Sequence, residues 1–314
     1  MPTLRVNQDV TLHYDDDDFT DPWRPAQAML LQHGFARSGR FWYNWVPLLA
    51  HEFRILRPDM RGMGQSTMAE DQYEPLLDTF AEDARRILDH LCIDQVVFVG
   101  ESFGGIIGLK FAHTYPERTQ ALVLCNTPCR LPRRHRSGPG GDWDETMRQG
   151  GLGAWSTAAL NMRLDTRVAP PGLQEWYITE MARTSPIIGR KLQAYLDTLD
   201  FSPHLKAIAV PTLLLSGEET PTATVDQQRF MAEQIPNCRL VVYPKLGHGI
   251  NVIYPKWCTQ QVREFLGLMA GVSTAKPCQS LPFSSTMTLT ERALPTLVAG
   301  GMESLARKWT SPTL

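Results

Sequence analysis

The chain has 314 residues, 31 basic and 33 acidic side chains, and a formal net charge of −2 at pH 7. Because there is no excess of positive charge to attract phosphates, this balance argues against nucleic acid or an anionic membrane as the partner. The hydrophobic fraction of 43% is ordinary for a globular protein, so we expect a small molecule as the partner.

Targeting signals and metal sites are not evident in the sequence. The N-terminus has no basic region followed by an apolar run, and no later segment is an apolar stretch of membrane-spanning length, so we expect a cytoplasmic protein without membrane association. Six scattered cysteines indicate free thiols. Cys125 and Cys129 have metal-ligand spacing, but no second Cys or His pair completes a zinc site nearby, so we expect neither metal nor cofactor. The oligomeric state stays open.

Strand and helix patterns alternate along most of the chain, which predicts an α/β fold with a mostly parallel sheet flanked by helices. In chain order, the patterns predict a strand pair over 4–14, strands at 28–33 and 53–59, a helix at 79–91, a strand at 95–99, a helix at 103–114, strands at 121–125, 211–216 and 239–243, and a helix at 256–268. The acidic run 15–18 is predicted to be a solvated hairpin turn.

The alternation stops between the sixth strand and position 210. Three helical patterns occupy this interval, at 142–148, 153–162 and 173–182. We therefore predict a helical cap inserted after the sixth strand, above the carboxyl edge of the sheet, where ligands bind in open α/β sheets. Trp155, Trp176 and Met162 either line the substrate pocket below this cap or pack the cap onto the body.

Four segments follow from these patterns. The predicted boundaries are 1–128 for the first part of the core, 129–208 for the cap, 209–271 for the second part of the core, and 272–314 for a linker with an amphipathic helix. The last segment is rich in Ser, Thr and Pro before apolar residues recur at helical spacing.

The segment from 97 to 105 reads Val-Phe-Val-Gly-Glu-Ser-Phe-Gly-Gly and contains a G-x-S-x-G motif centred on Ser102. A buried strand precedes the motif and a helix follows it, which is the context that such a turn requires. Glycines at 100 and 104 permit the sharp turn that holds the serine hydroxyl out at the sheet edge. Ser102 is therefore the candidate nucleophile.

A serine hydroxyl needs a base to remove its proton. His248 follows the predicted strand at 239–243 and lies between two glycines, so a loop can bring its imidazole to the sheet edge. The backbone N–H groups of Phe35 and Phe103 are candidates for the oxyanion hole, and Gly34 is expected beside the substrate. His33 is predicted to be a structural loop residue.

A carboxylate that orients His248 is sought after the strand at 211–216. Glu219 is preferred and Glu218 is the alternative, while Asp226 is more remote. Spacing alone does not decide which carboxylate turns inward.

The motifs together resemble the α/β-hydrolase family over about residues 3–270. They occur in the order of that family, as His33-Gly34, the turn 59–66, the elbow 100–104, the strand 211–217 and Gly247-His248. Within the family the chain is similar to the 3-oxoadipate enol-lactonase branch, through the stretches 121–128, 142–147 and 151–155.

One position departs from the family pattern. The resemblance implies a catalytic aspartate three residues after Gly217, and this chain has Thr220 there. Either a neighbouring glutamate takes the role of the aspartate, or the triad is impaired.

These features predict a cofactor-free serine hydrolase that cleaves a carboxylic ester, in particular a lactone or enol-lactone, through an acyl-enzyme on Ser102. The alternatives are a C–C bond hydrolase of a dicarbonyl substrate and a non-catalytic receptor for a small ligand. Arginines at 130, 133, 134 and 136 either attract a carboxylate-bearing substrate or form a solvated basic loop.

Overall fold

A central eight-stranded sheet organises the residues that the computed structural model describes, which are 2–131, 137–138 and 141–267. The strand order is β1-β2-β4-β3-β5-β6-β9-β10. From β4 to β10 all neighbours are parallel, while β1 and β2 form an antiparallel edge. The strands are β1 (Thr3–Arg5), β2 (Thr11–Asp17), β3 (Gln27–Gln32), β4 (Phe53–Pro58), β5 (Val96–Glu101), β6 (Thr119–Cys125), β9 (Thr212–Gly217) and β10 (Cys238–Tyr243), and a separate hairpin consists of β7 (Ser137–Gly138) and β8 (Gly141–Asp142).

Helices cover both faces of this sheet. They are α1 (Val46–Leu49), α2 (Leu77–His90), α3 (Phe103–Thr114), α4 (Trp143–Ala158), α5 (Leu160–Arg163), α6 (Pro171–Met181), α7 (Pro186–Leu196), α8 (Val225–Gln234), α9 (Ile250–Ile253) and α10 (Pro255–Phe265). This architecture confirms the predicted α/β fold with a mostly parallel, helix-flanked sheet. The predicted helix at 103–114 has the bounds of α3, and the other predicted boundaries in the core differ by a few residues.

The central strands are buried on both faces, which explains their continuous apolar sequences. Every residue of β5 is buried, and successive side chains point to opposite faces. Phe98 joins the core on the side of α2 and α3, whereas Val97 and Val99 join the core on the other side. Strand β5 thereby fixes the start of α3 at the carboxyl edge of the sheet.

The acidic run 15–18 was predicted to be a solvated turn, and that prediction is wrong for most of the run. Asp15 to Asp17 belong to β2 and pair with β4. Arg54 binds Asp16 at 2.6 Å, and Arg57 binds Asp17 at 2.7 Å. Cross-strand ion pairs of this kind let charged residues occupy a strand near the sheet edge.

The helices α4 to α7 lie between β6 and β9 in the sequence. They contain the three segments that the sequence predicts to be helical. Helix α4 is kinked at Gly151, where φ is 68°, so the predicted start near 153 marks the second half of one longer element. Whether 129–208 forms a distinct cap remains a prediction.

The predicted linker and helix at 272–314 lie outside the described residues. No helix in the described part of the chain is long and apolar enough to cross a membrane.

Glycine at position 104 is required by close backbone packing, which gives a first test. A Cβ on Gly104 would overlap the carbonyl oxygens of Gln32 and His33 at the end of β3. We expect Gly104→Ala to lower the free energy of unfolding by about 3 kcal/mol, because backbone must move to admit the methyl group. Gly172→Ala is the matched control, since its added Cβ meets nothing within 4 Å beyond its chain neighbours and the backbone of its own helix.

Urea denaturation measures both variants. We expect Gly172→Ala to leave stability unchanged or to raise it by up to about 1 kcal/mol. Equal stability of the two variants would contradict the packing described at the end of β3.

Candidate active site

Ser102 occupies a strained turn between β5 and α3. Its φ of 54° and ψ of −118° lie in a region that non-glycine residues rarely adopt, at a cost of about 1–3 kcal/mol. A Cβ on Gly100 would overlap the backbone of Gly104, so the two glycines of the motif permit the turn. The Ser102 N–H donates to the Cys125 carbonyl at 3.0 Å, which ties the turn to the end of β6. This geometry matches the elbow that the sequence predicts.

His248 lies in the loop after β10 and is fully buried. Its Nδ1 is 2.8 Å from the hydroxyl of Thr220 and 3.0 Å from the hydroxyl of Thr222. Both threonines belong to the loop after β9, on which the sequence predicts the orienting acid. The site therefore has two neutral hydroxyls at the imidazole nitrogen where a carboxylate was expected.

The structure brings none of the predicted acids to His248. Glu219 is 46% exposed at its side chain and pairs with Arg167 at 2.7 Å. Glu218 accepts a hydrogen bond from the backbone N–H of Lys245 at 2.9 Å, and the remote candidate Asp226 is exposed. The inward positions of this loop belong to Thr220 and Thr222, so the glutamates between them and the strand point away.

A carboxylate does contact His248, and it comes from Glu101, the residue before Ser102. Glu101 is 1% exposed, and its Oε1 lies 3.0 Å from His248 Nε2. These two atoms lack the alignment of a hydrogen bond, so Glu101 acts on His248 as a nearby negative charge, which attracts the imidazole only when the ring is protonated. Glu101 also forms an ion pair with Arg37, whose guanidinium donates in turn to the Tyr177 hydroxyl.

Burial and neighbouring charges shift the pKa values of both Glu101 and His248. Burial alone would raise the pKa of Glu101, but the positive charge of Arg37 and the contact with His248 outweigh it and hold that pKa below its ordinary value. Burial lowers the pKa of His248 below 6.5, and Glu101 opposes this shift only in part. At neutral pH the site therefore holds a carboxylate beside a neutral imidazole that is able to accept a proton.

Sequence reasoning missed Glu101 because it looked for the acid only on the loop after β9. The missed signal was an ionisable residue inside the motif itself, at the end of a strand whose other residues are apolar. Gly34 is part of the same arrangement. A Cβ there would overlap the Glu101 carboxylate and lie 3.3 Å from Ser102 Cβ.

The predicted oxyanion donors, Phe35 and Phe103, directly follow Gly34 and Ser102 in the chain. Within the described residues, neither the backbone N–H of Phe35 nor that of Phe103 donates a hydrogen bond, and Phe103 is the first residue of α3. His33 shapes the loop that carries Phe35, since its Nδ1 donates to the Gly34 carbonyl at 2.9 Å and its Nε2 accepts from the Met60 N–H at 2.9 Å. This bonding agrees with a structural role for His33.

The two tryptophans that were candidates for the pocket lie in different places. Trp155 packs edge-on against Phe35, with ring centroids 5.0 Å apart. Trp155 and Met162 both line a small cavity beneath α4. Trp176 instead packs on Phe41 and Tyr43, with centroids at 4.7 and 5.5 Å. Trp155 is therefore the tryptophan associated with the candidate site.

Arg130 is the one arginine of the predicted basic loop that lies within the described residues. Arg130 is exposed and lies 3.5 Å from Asp200, while arginines 133, 134 and 136 lie outside the described residues. Within the described ranges, no three His, Cys, Asp or Glu side chains are grouped as a metal ion would require.

Comparison with known proteins supports the fold and the resemblance. A family model described as the alpha/beta hydrolase fold matches residues 27–160. The 3-oxoadipate enol-lactonase 2 of Acinetobacter baylyi is 26% identical over 266 residues, which cover 79% of this chain and 90% of that protein. The pimeloyl-[acyl-carrier protein] methyl ester esterase of Nitrosomonas europaea is 29% identical over 241 residues, which cover 73% of this chain and 91% of that protein.

A solved structure gives the same result. The enol-lactonase of Burkholderia xenovorans superposes with a TM-score of 0.76 and 26% identity, covering 85% of this chain and all of that chain. The chain thus has the α/β-hydrolase fold, and its resemblance to enol-lactonases is supported.

The paired threonines give a second test. We expect Thr220→Ala and Thr222→Ala each to lower the free energy of unfolding by about 1 kcal/mol, because one hydroxyl still pairs with His248 Nδ1. We expect the double variant to lose more than the sum of the two, because Nδ1 is then buried without a partner.

Urea denaturation of the four proteins measures this coupling. Thr157→Ala is a control on the exposed side of α4, where the hydroxyl bonds only the Gly153 carbonyl of its own helix. Strict additivity of the two threonine changes would mean that they do not share the imidazole nitrogen.

Proposed function

We propose that this protein is a serine hydrolase of carboxylic esters, in particular lactones, and that Ser102 is its nucleophile and His248 its general base. The observation that carries the proposal is the strained conformation of Ser102 at the start of α3, with a neutral buried imidazole held beside the preceding residue. The enol-lactonase and methyl ester esterase among its relatives support an ester or lactone as the substrate class.

In the acylation step, Ser102 Oγ attacks the ester carbonyl carbon and its proton passes to His248 Nε2. The carbonyl oxygen becomes an oxyanion, which the N–H groups of Phe35 and Phe103 stabilise. The bond from carbon to the alkoxy oxygen then breaks, and the imidazolium returns the proton to that oxygen. In a lactone the alcohol produced stays attached to the acyl group.

In the deacylation step, water attacks the acyl carbon while His248 removes one of its protons. The second tetrahedral intermediate collapses, the bond to Ser102 Oγ breaks, and the proton passes back to that oxygen. The products are a carboxylic acid and the original Ser102 hydroxyl, so the cycle needs no oxidant, reductant or cofactor.

In this mechanism Thr220, Thr222 and Glu101 together take the role that the resemblance assigns to one aspartate. Thr220 and Thr222 accept the Nδ1–H of His248 and fix the orientation of the ring. Glu101 supplies the negative charge that stabilises the imidazolium while it holds the serine proton.

The threonines also favour a second candidate function, a non-catalytic receptor for a small ligand. A hydroxyl does not stabilise imidazolium as a carboxylate does, and a wrong partner at this nitrogen lowers turnover about 10⁴-fold in a well-studied triad. This candidate predicts ligand binding without covalent reaction at Ser102.

Labelling by a fluorophosphonate, followed by intact mass, distinguishes the two. We expect the wild type to gain one adduct, Ser102→Ala to gain none, and His248→Ala to react at least about 100-fold more slowly because the base is lost. Glu218→Gln and Glu219→Gln are matched controls, which we expect to react within about twofold of the wild type.

Two results would change the assignment. A large loss of labelling in Glu219→Gln would return the orienting role to that residue. A folded wild type that fails to react would favour the receptor.

The pH dependence of hydrolysis tests Glu101 as a positioning residue. The acid limb of kcat/KM reports the base of the free enzyme, and the pKa of His248 is lowered below 6.5. We expect the rate to be constant from neutral pH downwards until the pH falls through this lowered pKa. Glu101→Gln removes the anion that raises the pKa of His248. We therefore expect the acid limb of kcat/KM to move to still lower pH and the plateau value of kcat/KM to fall.

A thermal melt controls for the unpaired Arg37 in Glu101→Gln, and Arg37→Met/Glu101→Gln provides a second protein without that buried charge. An acid limb that stays in place in both proteins would show that Glu101 does not act on His248.

A further inference from the structure

A segment from outside the loop of His248 packs against that loop. Residues 163–165 run from the last residue of α5 towards α6, and two hydrogen bonds join them to the loop. The backbone N–H of Asp165 donates to the His248 carbonyl at 3.0 Å. In return, the backbone N–H of Gly247 donates to Asp165 Oδ2 at 2.8 Å. Asp165 therefore holds the main chain at His248 and at the residue before it.

The close approach of this segment explains why His248 lies between glycines. A Cβ on Gly247 would lie 3.2 Å from Asp165 Oδ2, and its next two neighbours, at 3.3 and 3.4 Å, are also atoms of Asp165. Gly249 has a φ of 84°, and a Cβ there would lie 3.3 Å from the carbonyl oxygen of Arg163. Because so little space separates the loop from the segment, a displacement of one is transmitted to the other.

Asp165 is itself fixed by Arg167. The side chain of Asp165 is only 2% exposed. Arg167 Nε donates to Asp165 Oδ1 at 2.8 Å, and Arg167 Nη2 donates to Oδ2 at 2.6 Å, a paired geometry that restricts the orientation of a carboxylate. These hydrogen bonds hold the pKa of Asp165 below its ordinary value, so Oδ2 is a negatively charged acceptor at neutral pH. The Gly247 N–H thus donates to a carboxylate whose position is fixed.

The contacts of Asp165 complement those of the two threonines. Thr220 and Thr222 contact His248 Nδ1 at 2.8 and 3.0 Å, which fixes the rotation of the imidazole ring. They do not determine where the backbone of His248 lies, because this residue is in the loop between β10 and α9. A correctly rotated ring on a displaced backbone carries Nε2 away from Ser102. An error of about 1 Å in the position of a reacting group costs about 100-fold in rate.

We propose that Asp165 is a positioning residue, which holds the backbone of His248 so that Nε2 lies where it accepts the proton of Ser102. The inference rests on the proposed function for the role of His248. The hydrogen bonds and the packing of Asp165 do not depend on turnover, so they are measured separately. Asp165 acts through the main chain of the loop and not on the reacting atoms.

The rate of labelling by a fluorophosphonate tests this role. We expect Asp165→Ala to react about 10- to 100-fold more slowly than the wild type, because the Gly247 N–H loses its acceptor and the loop shifts. Asp165→Asn is the conservative variant, whose amide oxygen still accepts from the Gly247 N–H. We expect it to react within about threefold of the wild type, because it loses only an ion pair to Arg167, whose side chain is 57% exposed.

Asp83→Ala is the matched control for the loss of a buried carboxylate. Asp83 lies on α2, its side chain is 9% exposed, and it accepts two hydrogen bonds from Arg61 at 2.7 and 2.5 Å. We expect Asp83→Ala and Asp165→Ala to lower the urea midpoint by similar amounts, since each breaks an ion pair of a buried carboxylate. We expect Asp83→Ala to be labelled at the wild-type rate. If it reacts as slowly as Asp165→Ala, the loss follows from reduced stability and the positioning role is rejected.

Gly247→Ala disturbs the same contact from the other side and serves if Asp165→Ala does not fold. It removes no polar group, and the three atoms nearest to its added Cβ all belong to Asp165. We expect labelling to be about 3- to 10-fold slower, because the methyl group pushes the loop and Asp165 apart. Gly172→Ala is again the control, and we expect it to react at the wild-type rate.

Hydrogen exchange of the peptide 244–252 separates this inference from the proposed function. We expect this peptide to exchange at least about 10-fold faster in Asp165→Ala than in Asp83→Ala, because the Gly247 N–H no longer has a buried acceptor. Equal exchange in these two variants, or wild-type labelling rates in Asp165→Ala and Gly247→Ala, would overturn the inference. A wild type that forms no adduct and hydrolyses no ester, but retains the Asp165-dependent exchange, would reject the hydrolase alone.

Discussion

The buried charge of Glu101 is the constraint on which the candidate site depends. A carboxylate that is 1% exposed must be compensated, and it draws its partners from separate parts of the chain. Arg37 comes from the loop after β3, and His248 comes from the loop after β10. Arg37 in turn bonds Tyr177 of α6, so one carboxylate connects the sheet edge, two loops and α6. Gly34 is needed because a side chain there would displace this carboxylate.

The charge balance of the site follows from this cluster. Glu101 and Arg37 neutralise each other, and His248 is neutral at physiological pH because burial lowers its pKa. Arg163 is left as a positive charge that no described side chain balances. A site with a net positive charge stabilises negative charge that develops within it. The oxyanion of the proposed acyl transfer meets that condition.

The sequence predicts backbone features better than side-chain partnerships here. The turn at Ser102 and the bounds of α3 agree with the sequence because a glycine-flanked strand-to-helix turn is a local pattern. The partner of His248 was not located. Whether residue 219 or residue 220 turns inward depends on loop conformation, which periodicity does not encode. Glu101 and Arg37 lie 64 residues apart, so their pairing depends on strand order.

The absence of an aspartate after β9 need not remove the function that this residue serves. An orienting acid does two things: it fixes the ring through Nδ1 and it places negative charge near the imidazolium. Fixing the ring requires only an acceptor, which Thr220 and Thr222 provide at 2.8 and 3.0 Å. Charge stabilisation depends on distance rather than on which nitrogen faces the anion, and at about 4 Å it amounts to about 4 kcal/mol at an effective dielectric constant near 20. Glu101 lies at 3.0 Å from the opposite nitrogen, so it provides a comparable field. In the proposed mechanism the threonines and Glu101 thereby divide the work of one aspartate, and His248 Nε2 takes the proton of Ser102 while it remains close to Glu101.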